Sequence, residues 1–89
     1  MEDRERRFVM IKLKRIVNAK SNGYFYFPEN KTEPGMIEIN LSTGEVYIAE
    51  ESSYDKELGV PYYANKALSE VKRLVKTNNL VNEKVLAWY

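Results

Sequence analysis

Two residue types that carry much of protein chemistry are missing from this chain. It has no cysteine, which excludes disulfides, thiolate metal sites and a Cys nucleophile. It has no histidine, which removes the commonest general base, the commonest metal ligand and the usual pH switch. No apolar run reaches the ~20 residues of a membrane span. No glycine-rich phosphate loop, nucleophile elbow or metalloprotease motif occurs. The N-terminal stretch Met1–Arg7 is charged and is followed only by a short, Lys-interrupted strand pattern. It does not read as a secretory signal, and a cytoplasmic location is expected.

What is present suits one small domain. Eighty-nine residues, 44% of them apolar, suffice for a single modest core and leave self-association as a natural way to bury more surface. Residues 1–7 are expected to be a flexible arm and residues 8–89 a single domain. The net charge is only +1 but is unevenly spread. Residues 1–23 carry seven Lys/Arg against three Asp/Glu, residues 24–60 two against eight, and residues 61–89 five against two. Acidic and basic regions of this kind either complement each other within the fold or give a dipolar surface that steers a partner.

The stretch Met36–Glu50 organises the chain. Met36–Asn40 and Glu45–Ala49 each alternate apolar and polar, the period of a half-buried strand. Between them, Asn40-Leu41-Ser42-Thr43-Gly44 suits a turn that Asn40 closes and Gly44 exits through a left-handed backbone. A four-residue loop then sets Ile39 opposite Val46 and Ile37 opposite Ile48 on one face, with Glu38, Asn40, Glu45 and Tyr47 on the other. A slip by one residue would place the isoleucines opposite Glu45 and Tyr47.

The remaining chain must cover that apolar face. Phe8–Val17 reads as a strand, with Val9, Ile11 and Leu13 alternating with Met10, Lys12 and Lys14. Arg15 falls on the apolar row, at a bulge or a solvated strand end. Asn22-Gly23 signals a turn. Tyr24–Phe27 follows as a short aromatic strand that Pro28 ends. Glu51–Val60 has no clear period and reads as a long loop with room for one helical turn. A helix starts near Pro61, where Tyr63, Ala64, Ala67, Leu68, Val71, Leu74 and Val75 recur at helical spacing. The tail Leu80–Tyr89 supports two patterns: Val81, Val85 and Trp88 share a helical face, whereas Val85, Ala87 and Tyr89 share a strand face. The first is favoured. The expected fold is α+β: a four-stranded antiparallel sheet of two hairpins, one long helix packed on one face, and a short C-terminal element. The strands Phe8–Val17 and Tyr24–Phe27 are the edges weighed for association, and the first is the better suited to a specific partner.

Four constellations could carry function. If Phe25 and Phe27 point inward, Tyr24 and Tyr26 point outward beside Lys12 and Lys14, which is a platform for single-stranded nucleic acid. Asn18-Ala19-Lys20 followed by Gly23–Phe27 resembles the Asn-Ala…Gly-Tyr-Gly-Phe stretch of cold-shock domains. It differs by one inserted residue and by Phe25 in place of the inner glycine, the family's second aromatic strand is missing, and no membership is assigned. Glu38 and Glu45 share that face and repel phosphate. The second constellation is the basic helix face of Lys66, Lys72, Arg73 and Lys76, which could track a phosphate backbone. The third is the acidic segment Glu50, Glu51, Asp55 and Glu57, whose spacing matches no calcium loop. The fourth is the aromatic group Tyr54, Tyr62, Tyr63, Trp88 and Tyr89, either a lid on the core or an anchor for a protein.

The expectation is therefore a non-enzymatic accessory or regulatory domain that associates with a protein partner or with itself as a homodimer, through Tyr62, Tyr63, Trp88 and Tyr89. No catalytic residue, metal or cofactor is assigned. The alternative is nucleic-acid binding through Lys12, Lys14, Tyr24 and Tyr26 or through Lys66, Lys72, Arg73 and Lys76.

Overall fold

The structure, a computed structural model, describes residues 9–18, 22–29 and 31–88, with the side chain of Trp88 outside that description. The expected arm at residues 1–7 and the terminal Tyr89 lie outside the described residues.

The chain runs β1 (Val9–Val17), β2 (Asn22–Pro28), β3 (Gly35–Asn40), β4 (Glu45–Glu50), α1 (Ser53–Leu58), α2 (Tyr62–Lys76) and β5 (Glu83–Trp88). The hairpin of β3 and β4 takes the register its alternation requires, with Ile37 opposite Ile48 and Ile39 opposite Val46. Asn40 Oδ1 accepts from the N–H groups of Ser42 and Thr43 at 3.0 and 3.3 Å. Gly44 leaves the turn at a φ of 81°, a backbone that β-branched residues resist. β1 and β2 form the second hairpin, and β2 pairs antiparallel with β3.

The sheet has a fifth strand that the sequence reading did not assign. The tail is not helical: Glu83–Trp88 lies antiparallel to β1, with Ile11 opposite Leu86. The strand order is β4-β3-β2-β1-β5, so β1 and β2 are interior and the edges are β4 and β5. The helical pattern failed because Val81 belongs to the preceding loop, where its carbonyl accepts the Tyr24 hydroxyl at 2.6 Å. From Glu83 onward, Leu86 can then join the core by strand alternation. Arg15 pairs with Tyr24 two residues before the end of β1, with no bulge in the β1–β2 register and not at a solvated strand end. Its guanidinium lies 5.5 Å from the Tyr24 ring and donates to the Gly23 carbonyl at 3.1 Å.

One long helix covers one face of this sheet. Tyr63, Ala64, Ala67, Val71 and Leu74 of α2 pack on Ile11, Leu13, Tyr24, Tyr26, Ile37 and Ile39. Leu68 and Val75 flank that contact, partly buried. Glu70 bonds Arg73 on its own helix and Lys84 of β5 at 3.2 Å, which ties the layers at their rim. These bonds, Arg73 foremost, hold its carboxyl below the usual carboxylate range. The result is a two-layer α+β sandwich whose second sheet face carries no helix among the described residues.

Candidate functional site

The acidic segment does not gather into a cation site, and no group of three or more Asp, Glu, His or Cys stands close enough to hold a metal among the described residues. Glu50 pairs with Lys56 at 2.6 Å on the surface. Asp55 goes the other way, into the core, with no exposed surface. Its Oδ1 accepts from the Tyr63 N–H at 2.9 Å, and its Oδ2 accepts from the Ala64 N–H at 2.9 Å and the Tyr26 hydroxyl at 2.7 Å. Pro61 offers α2 no side-chain cap. Asp55 therefore caps α2 from a neighbouring helix and sets its negative charge at the positive end of the dipole. The Tyr26 oxygen in turn accepts from the Ser52 N–H at 2.8 Å. Ser52 caps α1, its Oγ accepting from the Asp55 N–H at 3.1 Å. Burial first, and then the bond to Asp55, raises the Tyr26 phenol above its ordinary range. Every polar atom of this cluster that the contacts describe faces another protein group, so it holds the layers together.

Tyr24 and Tyr26 are thus on the inner face, both fully buried, and the expectation that they point outward is overturned. The β1–β2 register decides it: Leu13 is opposite Tyr26 and Arg15 opposite Tyr24, on the row that faces α2. Gly35, across from Tyr26 in β3, makes room for the ring, since a Cβ there would stand 2.2 Å from it. The stacking role that the cold-shock resemblance implied for these rings is closed to them.

The outer face carries the other half of each strand. Lys12 stands opposite Phe27 and Val85, and Lys14 opposite Phe25 and Glu83. Phe25 is opposite Met36, and Glu38 is opposite Gly23 and Tyr47. Phe25 is 40% exposed, Tyr47 48% and Val85 57%. Phe25 and Phe27 meet edge to face at 6.4 Å between ring centres. Met10, Lys12, Lys14, Phe27, Lys31 and Val85 line a shallow groove of about 300 Å³ at the β1–β5 end, with Glu29 at its rim. The opposite end, on β3 and β4, carries Glu38 and Glu45 beside Tyr47.

The remaining sequence-derived candidates scatter. Tyr63 is buried, stacked on Tyr54 at 5.4 Å, with its hydroxyl donating to Glu29 at 2.6 Å. It is a core residue and not a free anchor. Tyr62 is exposed at the start of α2, with the Lys66 ammonium 5.8 Å from its ring. Trp88 ends β5 opposite Val9. Lys66, Lys72, Arg73 and Lys76 lie exposed along α2, on the layer opposite Lys12 and Lys14, so the two basic candidates cannot form one surface. Lys72 and Lys76 flank a depression over Gly44 to Val46, and Arg73 is paired with Glu70. Phe25, Phe27, Met36 and Val85 were missed as surface residues. The available signal was the β1–β2 register, in which inward Leu13 fixes Tyr26 inward and Phe25 outward.

Comparison with known proteins finds no family model, no curated protein and no solved structure that matches this chain.

Proposed function

We propose that this chain is a non-enzymatic protein-interaction domain of accessory or regulatory type, and that the face of its sheet left open by the described helices is the contact surface. One observation carries the reading. In the interior strand β2, the two buried rings are tyrosines and the two outward rings are phenylalanines. Each buried hydroxyl has a built partner, Val81 for Tyr24 and Asp55 for Tyr26. The less polar rings sit on the side that no helix among the described residues covers, an ordering that isolated solvent exposure does not favour. Aromatic rings with Met10, Met36 and Val85 around them suit the apolar centre of an interface, and Lys12, Lys14, Glu38 and Glu45 suit its polar rim. The cytoplasm is taken as the working location.

A second reading has its own support. Lys12, Lys14 and Lys31 beside Phe25 and Phe27 resemble the amine-and-ring pattern that holds single-stranded nucleic acid. Glu29, Glu38, Glu45 and Glu83 at or beside the same face weigh against it, because phosphate is repelled there.

Photo-crosslinking tests both. Benzoylphenylalanine in place of Phe25 should give adducts with protein in cells, stable to nuclease, while the same probe in place of Lys72 on the helix layer should give few. Adducts from position 72 alone, or none from position 25, would overturn the reading. Nuclease-sensitive adducts from position 25 would favour the second.

A further inference from the structure

We infer that the occupant of the sheet face that no described helix covers is a second copy of this chain, packed face to face about a two-fold axis that runs parallel to the strands beneath β2. This rests on the reading of that face as an interaction surface and names its partner.

A two-fold contact requires a surface complementary to itself. This face has that property. Its middle strand, β2, presents Phe25 and Phe27, with Met36 beside Phe25 on β3 and Met10 on β1. One flank, β1, carries Lys12 and Lys14. The other, β3 and β4, carries Glu38 and Glu45, whose cross-strand neighbours are Gly23 and Tyr47 for Glu38 and Asn40 for Glu45. The face thus has an apolar centre with lysines next to it on β1 and glutamates next to it on β3 and β4, and Glu83 stands beyond the lysines on β5. Lys14 lies 3.9 Å from Glu83, but both side chains are about half exposed, and such a pair is weak enough to yield to a better one.

The axis direction follows from the charges. Rotation about a line parallel to the strands exchanges the two sides of the sheet, so β3 of one copy lies over β1 of the other. Glu38 then stands within one residue pair, about 7 Å along the strand, of Lys14 in its partner, inside the reach of the two side chains. Phe25 meets its own counterpart on the axis. Rotation about a line perpendicular to the strands would set β1 over β1 and bring lysine onto lysine, which like-charge repulsion disfavours. Stacked sheets of this kind pack about 10 Å apart, so the phenylalanine side chains fill the gap.

The size of the face sets the strength. Five strands at about 4.8 Å spacing and six residues at about 3.3 Å give a patch roughly 20 Å on each side. Two copies then bury on the order of 1,000 Å², the lower limit for a specific interface. Association in the micromolar range is expected, favoured by low salt.

Sedimentation equilibrium of the purified chain tests this, with circular dichroism to verify that each variant is folded. The wild type should pass from monomer to dimer across the micromolar range. Lys14→Glu and Glu38→Lys should each weaken dimerisation about tenfold or more. An equimolar mixture of the two variants should dimerise more tightly than either alone, because both contacts across the axis then join opposite charges. Should Glu38→Lys fail to fold, Phe25→Glu places two carboxylates on the axis and should abolish the dimer. A wild type that stays monomeric to about 1 mM, or a mixture no tighter than its components, overturns the inference. If the chain is monomeric while crosslinks from position 25 to other proteins persist, the self-pairing fails and the interaction reading stands. If both are lost, the face is not an interface.

Discussion

The two faces of one strand make the sharpest contrast in this molecule. On the inner side of β2, Tyr24 and Tyr26 reach past the core and end on the Val81 carbonyl and the Asp55 carboxylate. On the outer side, Phe25 is exposed and Phe27 half-buried. The inner side is specified atom by atom, since a buried hydroxyl without a partner would cost about 1–3 kcal/mol. The outer side makes no such demand, and its rings contribute little to the fold of a single copy. Neighbouring residues on the same strand thus serve different ends: one pair fixes the structure, and the other is left for whatever covers the face.

Breaking the inner side should give the largest effect. Asp55→Ala removes the acceptor for two buried N–H groups and for the Tyr26 hydroxyl, and should cost about 3–5 kcal/mol in urea unfolding. A loss under about 1 kcal/mol would show that α2 does not depend on this cap. Next in size, Ile39→Ala, on the inner face of β3 and 3% exposed, should cost about 2–4 kcal/mol through the cavity it leaves.

The third test uses pH. Burial raises the phenols of Tyr24, Tyr26 and Tyr63 above their ordinary value. A raised folded-state pKa gives stability that is complete below the unfolded value, about 10, and is lost as the pH climbs toward the folded value. Stability should therefore fall above about pH 10, and Tyr24→Phe should blunt that fall at a cost near neutrality of about 0.5–1.5 kcal/mol. Denaturant midpoints measured from pH 8 to pH 11 would check it, and an unchanged slope in the variant would contradict it. The smallest effect belongs to the outer side. Phe25→Thr keeps a strand-forming residue and should move the stability of the dilute protein by under about 1 kcal/mol. A larger loss would mean that Phe25 is a core residue after all and would dissolve the contrast between the faces.

Much of this was legible in the chain. The hairpin of β3 and β4 was fixed by Asn40, Gly44 and four alternating apolar residues, and α2 by its stripe from Tyr63 to Val75. The aromatic strand was not legible by itself. Tyr-Phe-Tyr-Phe offers no polar alternation, so its facing depends on register with β1 and on the space that Gly35 leaves, both of them tertiary facts. The tail failed for a similar reason: Glu83–Trp88 satisfies a helical and a strand pattern at once, and only the open edge of β1 chooses between them. The acidic segment misled in a third way. Asp55 looks like its neighbours Glu50, Glu51 and Glu57 until the uncapped start of α2 and the Tyr26 hydroxyl are brought to it.

The place of β1 in the sheet has a consequence in time. Among the described strands it comes first in the chain, and it lies between β2, the next, and β5, the last. Its second row of backbone groups pairs with residues 83–88, far along the chain. Val9 meets Trp88 across almost the whole chain, a pairing whose loop-closure entropy must be met before the contact rewards it. Folding is then expected to proceed from the two local hairpins and α2 and to finish with β5. Until that step an interior strand remains an edge, open to pairing with another molecule. Shortening that separation, by joining β5 to β1 through a tight turn and opening the chain between α2 and β5, should speed folding.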